Sequence, residues 1–269
     1  MAYLGGKARG ADHILRVLNH EAFDEMHYLE PFVGYAHVLR RVERKASYRA
    51  SDCNPLLITL LRAIQDGKRM PHVTEEQYHR LRHKHGDTSL RRAVAAFTYT
   101  FGGKEWGGYI REQPRKVVRQ GKPTTYVFDA EERKRYYARL RQNEQFRKCK
   151  IDIKDYRTLR PSNKLIYCDP PYAGTTGYNN NLRCDFDPAE FWETVRAWST
   201  NNVVFVSEYR APKDFACIAS ATKYSNVSAP DLRVEKLFVH KSLLPLLPAE
   251  LRAKGRAKAA KKSRRAARR

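Results

Sequence analysis

Acid is scarce in this chain: 29 Asp and Glu stand against 52 Lys and Arg over 269 residues, a formal net charge of +23. Cysteine is scarce too. The five cysteines (53, 149, 168, 184 and 217) form no CxxC pair and are odd in number. That pattern argues against a zinc site and a disulfide framework, and fits reduced thiols in a cytosolic protein. No run of about 18 apolar residues occurs, which excludes a membrane-crossing helix. The first residues, Met1 to Lys7, lack the apolar centre of a signal peptide. Gly5-Gly6-Lys7 does not meet the GxxxxGK[ST] spacing of a phosphate-binding loop, and GxGxxG is absent as well. NAD is therefore disfavoured, whereas a mononucleoside-like cofactor is compatible with the chain.

What is present is a core-forming chain with 42% hydrophobic residues and a strong positive charge. From Arg252 to Arg269 there are ten Lys and Arg and no acid, so a charge of about +13 remains on the rest. Lys and Arg neutralise phosphates and release their counterions, so a basic body with a basic tail predicts a polyanion partner, and nucleic acid before an acidic membrane.

Apolar runs and breakers predict an α/β chain. His27–Glu30 and Tyr48–Ser51 are strand candidates, the second ending in Asp52. Asn54 is placed to cap a helix with Pro55 in its first turn, and Gly67 closes it. Val38, Leu39 and Val42 predict one face of an earlier helix. From about 68 to 147 the pattern turns helical: Thr74 with Gln77 forms a capping box for a helix to about 84, a second helix spans about 88–99, and a third about 130–145. Between them a glycine-rich aromatic stretch, Phe101 to Tyr109, runs into Arg111, Arg115, Lys116, Arg119 and Lys122 and predicts a basic loop or hairpin. Strands return near 147–153, 165–168, 203–207, 224–227 and 234–240, with a helix from Asp187 onward. The expected organisation is a catalytic domain from residues 1–67 and 147–247, an insertion at 68–146, and a basic, disordered tail at 248–269.

The most informative residues are Asp169-Pro170-Pro171-Tyr172. They follow the buried strand Leu165–Cys168, and ligands of open α/β sheets bind at strand carboxyl ends. Each Pro fixes its own φ, restricts the residue before it and carries no N–H. The turn offers a carboxylate and a carbonyl as acceptors beside a flat ring, which suits a planar group bearing NH2. A plain strand ending is the alternative use of such a turn. In the other half, Gly34 sits where backbone must approach a ligand, and Asp52 ends the next strand, at the spacing where an acid meets ribose hydroxyls in dinucleotide folds.

Taken in order, Tyr3-Leu4-Gly5-Gly6-Lys7, Glu30-Pro31-Phe32-Val33-Gly34, Ser51-Asp52-Cys53-Asn54 and Asp169-Pro170-Pro171-Tyr172 resemble the motifs of the Dam-type adenine-specific DNA methyltransferases, from Tyr3 through to Tyr172. The resemblance implies a Rossmann-like methyltransferase sheet, an inserted helical target-recognition domain, S-adenosylmethionine as cofactor, and double-stranded DNA as partner, with no membrane and no metal. By motif position it implies cofactor contacts at Tyr3, Lys7, Asp52 and Asp169, with Glu30, Phe32 and Gly34 as the pocket wall. Asp169, Pro170 and Tyr172 become the catalytic set. Ala36 stands where the family continues with a second glycine, and His37 follows.

The implied reaction moves a methyl group to the 6-amino nitrogen of an adenine flipped out of the duplex. Arg111, Arg115, Lys116 and Arg119 are the expected DNA contacts, or else a solvated basic loop. Trp106 is expected either to wedge into the duplex or to anchor its loop. Tyr178 and Phe186 are candidates to close over the base, with core packing the stronger expectation for Phe186. His83 and His85 are expected on the surface. Cytosine 4-amino methylation, methylation of a protein glutamine amide, and a non-catalytic DNA-binding protein on the same scaffold stay open; the chain lacks the Pro-Cys of carbon-5 cytosine enzymes.

Overall fold

In the computed structural model, the described residues are 7, 11–111, 114–119, 122–127, 130–171, 185–224 and 232–252. The elements run α1 (Asp12–Leu18), β1 (His27–Glu30), β2 (Tyr48–Asp52), α2 (Pro55–Gln65), α3 (Glu75–Arg82), α4 (Leu90–Phe97), β3 (Pro114–Arg119), β4 (Lys122–Val127), α5 (Ala130–Gln142), α6 (Glu144–Lys148), β5 (Lys150–Ile153), β6 (Lys164–Cys168), α7 (Pro188–Trp198), β7 (Val203–Glu208), β8 (Phe215–Tyr224) and β9 (Leu232–His240).

Seven strands form one sheet in the order β5-β2-β1-β6-β7-β9-β8. The first five are parallel neighbours, and β9 runs antiparallel to both β7 and β8. Leu165, Ile166, Tyr167 and Cys168 of β6 are fully buried, as a central parallel strand covered on both faces requires. The sequence-adjacent β2 lies on one side of β1 and β6 on the other. The strand order thus reverses at β1, and the carboxyl ends of β1 and β6 flank that switch point, the crevice position at which such sheets bind ligands. This is the mixed α/β, Rossmann-like sheet expected.

Local signals hold where the chemistry is local. Asn54 Oδ1 accepts from the Leu56 and Leu57 N–H groups to cap α2, and Thr74 and Gln77 form a reciprocal capping box on α3. The helix expected over Val38–Val42 shrinks to a single 3-10 turn, Leu39–Arg41. Gly34 and Ala36 just before it both have positive φ, outside the helical range, so the turn cannot extend backward.

The long connection between α2 and β5 packs onto the sheet domain. Helices α4 and α5 lie against α2, and their apolar residues share one core with those of the sheet. Buried Arg133 of α5 donates to the carbonyls of Phe97 (2.6 Å), Thr98 (3.0 Å) and Thr100 (2.5 Å), satisfying the free end of α4. The predicted basic loop contains an antiparallel hairpin, β3–β4, in which Arg115 pairs with Tyr126 and Arg119 with Lys122. Leu251, inside the segment expected as tail, is buried against the main core. Cys149, Cys168 and Cys217 are free thiols. Cys53 is disulfide-bonded, against the expectation of reduced thiols. Among the described residues no helix is long and apolar enough to cross a membrane.

Candidate active site at the carboxyl edge of the sheet

Three of the predicted acids end three parallel neighbours: Glu30 closes β1, Asp52 closes β2, and Asp169 follows β6. Glu30 is buried and accepts from Tyr28 Oη at 2.7 Å. Burial holds its pKa well above the usual carboxylate range; the Tyr28 hydrogen bond opposes this, and the Asp169 charge adds to it.

Lys7 is buried and bridges two carboxylates. Its Nζ lies 2.5 Å from Asp169 Oδ1 and 2.6 Å from Glu235 Oε1. Burial alone lowers a lysine pKa, but the charges of Asp169 and Glu235 outweigh it, so Lys7 is raised and carries its proton. Asp169 is the more open of the pair, its side chain 19% exposed against 1% for Glu235. Pro170, next in the chain, is buried.

Asp52 is held by backbone: Gly34 N–H donates to Oδ2 at 3.3 Å and Asn54 N–H to Oδ1 at 3.0 Å. Burial nonetheless pushes its pKa up to about 6, with those hydrogen bonds opposing. The Asn54 amide in turn donates to Glu105 Oε2 at 2.8 Å, bringing the glycine-rich stretch to the back of this loop. Glu105 is buried and its pKa is raised, burial first and the Asn54 bond opposing.

Phe32 sits in an aromatic cluster with Tyr156 (5.2 Å between centroids), Phe191 (5.7 Å) and Phe186 (6.2 Å), so Phe186 packs in this core. His37 is buried with its pKa lowered to about 3, by burial and then by the Arg40 charge; the imidazole is neutral, with Nδ1 3.1 Å from Tyr136 Oη.

The remaining expected residues divide. Trp106 is buried, with Tyr78 at its edge and the Arg92 guanidinium 5.4 Å from its ring, so it anchors its loop. Arg111 is exposed and paired with Glu75 of α3 through Nη2 at 2.5 Å and Nε at 3.2 Å. Arg115, Lys116 and Arg119 lie on β3. His83 and His85 are exposed. Tyr3, Tyr172 and Tyr178 lie outside the described residues. Among the described residues no three His, Cys, Asp or Glu side chains are grouped to hold a metal ion.

Sequence reasoning missed three features. Glu235 carries a signal in retrospect: it alternates with the fully buried Leu237 and Val239, an acid on the inward face of a strand. Glu105 carries none, because its partner lies far away in the sequence. The third is a basic cavity of about 580 Å³ lined by Arg69, Met70, Pro71, His72, Arg91 and Lys134. Lys134 is paired with Glu131 at 2.6 Å.

An open parallel sheet with an antiparallel strand near one edge, and acids at the ends of its central strands, defines a Rossmann-like methyltransferase. The family model of the D12 class N6 adenine-specific DNA methyltransferases matches residues 3–229, and the chain belongs to that family. Its activity is adenine-specific DNA methylation, its substrate is DNA, and it requires a methyl donor. A search of the curated proteins finds no match. Among solved structures, the rRNA methyltransferase aviRa from Streptomyces viridochromogenes is similar at 14% identity and TM-score 0.38, covering 92% of this chain and 89% of that one. A conserved hypothetical protein of Streptococcus pyogenes is similar at 10% identity and TM-score 0.32, covering 82% and 89%. At those TM-scores the likeness carries no argument.

Proposed function

We propose that the methyl donor is S-adenosylmethionine and that the acceptor adenine is flipped out of duplex DNA into the crevice between β1 and β6. The observation that carries this reading is the Lys7–Asp169 ion pair at the crevice, with Asp169 partly open to solvent. Bound there, the donor supplies an activated sulfonium methyl group. The residues present suit it. Both Asp52 oxygens are oriented by backbone N–H groups and keep acceptor capacity for ribose hydroxyls, and Gly34 in left-handed geometry lets the backbone come close. Phe32 and Glu30 form the wall, and Tyr3 and Lys7 complete the cofactor contacts.

The acceptor end belongs to Asp169, Pro170 and Tyr172. The Asp169 carboxylate and the Pro170 carbonyl accept from the adenine amino group, which localises the nitrogen lone pair as positive charge develops there. Tyr172 stacks on the extruded base and offsets part of the few kcal/mol that flipping costs. Residues 68–146 act as the target-recognition insertion. Arg111, Arg115, Lys116 and Arg119 contact DNA, Arg111 by exchanging Glu75 for phosphate. The basic tail raises affinity without specifying sequence.

The test incubates unmethylated duplex DNA with labelled S-adenosylmethionine and sequences the product for modified adenine. Label in 6-methyladenine at a recurrent sequence is the expected result. Absence of donor binding, or strong DNA binding without transfer, would sink the proposal and leave a DNA-binding scaffold.

A further inference from the structure

We infer that Glu235 is a positioning residue for methyl transfer: from β9 it holds the Lys7 ammonium, and through Lys7 it holds the Asp169 carboxylate at the crevice. This rests on the proposed role of Asp169.

The geometry is a relay of three charges. Lys7 Nζ meets Glu235 at 2.6 Å and Asp169 at 2.5 Å. An ammonium on a flexible four-carbon stem has three donors and no fixed plane, so one carboxylate alone does not set its direction. Two carboxylates on different elements do. Glu235 is the better anchor: its strand is hydrogen-bonded on both sides, to β7 with Leu237 opposite Ser207 and to β8 with Glu235 opposite Ala221. Asp169 sits on the turn after β6, where the ligand would arrive.

Stability alone gives little reason for a glutamate there. An apolar residue would suit an inward position beside Leu237 and Val239, and buried ion pairs are often no more stabilising than apolar packing of similar volume. Charge gives one. Glu30, Asp169 and Glu235 bring three carboxyl groups to one end of the sheet, the hydroxyls of Tyr28 and Tyr167 border them, and Lys7 also faces the neutral ring of His37 and, beyond it, Arg40. A lysine that stays protonated there keeps the turn's carboxylate in place. Consistent with this, the two acids together hold the Lys7 pKa above its ordinary value despite burial.

The test compares full-length wild type with Glu235→Gln, which keeps the shape and removes the charge. Three readouts go beyond a structural role. The turnover number should fall at least about tenfold while DNA affinity stays within about twofold, as for a displaced group rather than a lost binding contact. The alkaline limb of the pH–turnover profile should move to lower pH, because Lys7 loses one of the carboxylates that keep it protonated. NMR of lysine labelled at Cε, with Lys7→Arg to assign the signal, should show the same downward move with neither donor nor DNA present. Glu235→Asp should restore part of the turnover. If Glu235→Gln does not fold, Glu235→Asp, which keeps the charge and shortens the reach to Lys7, should fold with turnover below wild type. Wild-type turnover in either variant, or a loss with unchanged Lys7 titration and no rescue by aspartate, overturns the role of Glu235. A wild-type protein that transfers no methyl group defeats the role of Asp169 itself, and this inference with it.

Discussion

The side-chain amide of Asn54 donates to Glu105 Oε2 at 2.8 Å, joining the loop after β2 to the glycine-rich stretch before the basic hairpin. The same Asn54 caps α2 through its carbonyl oxygen and donates its own N–H to Asp52. One residue thus links a helix start, a cofactor-side carboxylate and the connection to the hairpin. Asn54→Ala should cost about 1 kcal/mol for the cap and roughly another 1 kcal/mol for the hydrogen bond lost by Glu105, which keeps Trp106 as a partner. Urea unfolding measures the sum. A loss under about 0.5 kcal/mol, the range of ordinary surface substitutions, would mean the bridge is idle.

Asp169→Ala should abolish methyl transfer and leave DNA binding largely intact, since the acceptor is lost but no phosphate contact is. Filter binding beside label incorporation separates the two. Retained turnover would remove Asp169 from the chemistry.

Asp52 gives a pH signature. With its folded pKa at about 6, it contributes stability that is fully present below the unfolded value and is lost as pH rises through 6. Asp52→Asn sets an NH2 against one of the two N–H donors, Gly34 or Asn54, and loses that hydrogen bond at every pH. It should be less stable than wild type near pH 4, with the gap narrowing as pH rises to 7.5 and wild type takes on the ionisation penalty. Donor binding should move the other way: wild-type affinity rises from pH 5 to 7 as the carboxylate ionises, and the variant's stays low. Calorimetric binding at four pH values checks the slope; a flat wild-type profile would count against a ribose contact.

The cavity bounded by Arg69, His72, Arg91 and Lys134 is basic, and a DNA backbone phosphate seated in it would be read out by salt. The double change Arg69→Gln with Arg91→Gln should weaken binding equally for all duplex sequences and reduce the log–log salt slope by about 1 to 2. Turnover at saturating DNA should be unchanged. An unaltered slope would place the DNA elsewhere.

Much of the architecture was legible because its signals are short-ranged. The cap at Asn54, the Thr74–Gln77 box and the buried run Leu165–Cys168 each depend on residues within a turn or a strand of one another, so local chemistry decides them. The expected helix at Val38–Val42 failed for a related reason: apolar spacing was present, but backbone at Gly34 and Ala36 with positive φ sets where the turn begins. Trp106 was ambiguous as a motif and became an anchor once Tyr78 and Arg92 enclosed it.

The chain alone determined the ordered motifs that identify the family, the basic balance, and the acids that end β1, β2 and β6. Tertiary structure alone decided that Lys7 joins Asp169 to Glu235, that Glu105 reaches Asn54, and that Arg133 of α5 closes the end of α4. The reason is the range of the forces involved. Helix caps, turns and strand alternation are set between near neighbours, whereas a buried charge takes whichever partner the packed sheet brings within about 3 Å, regardless of sequence separation.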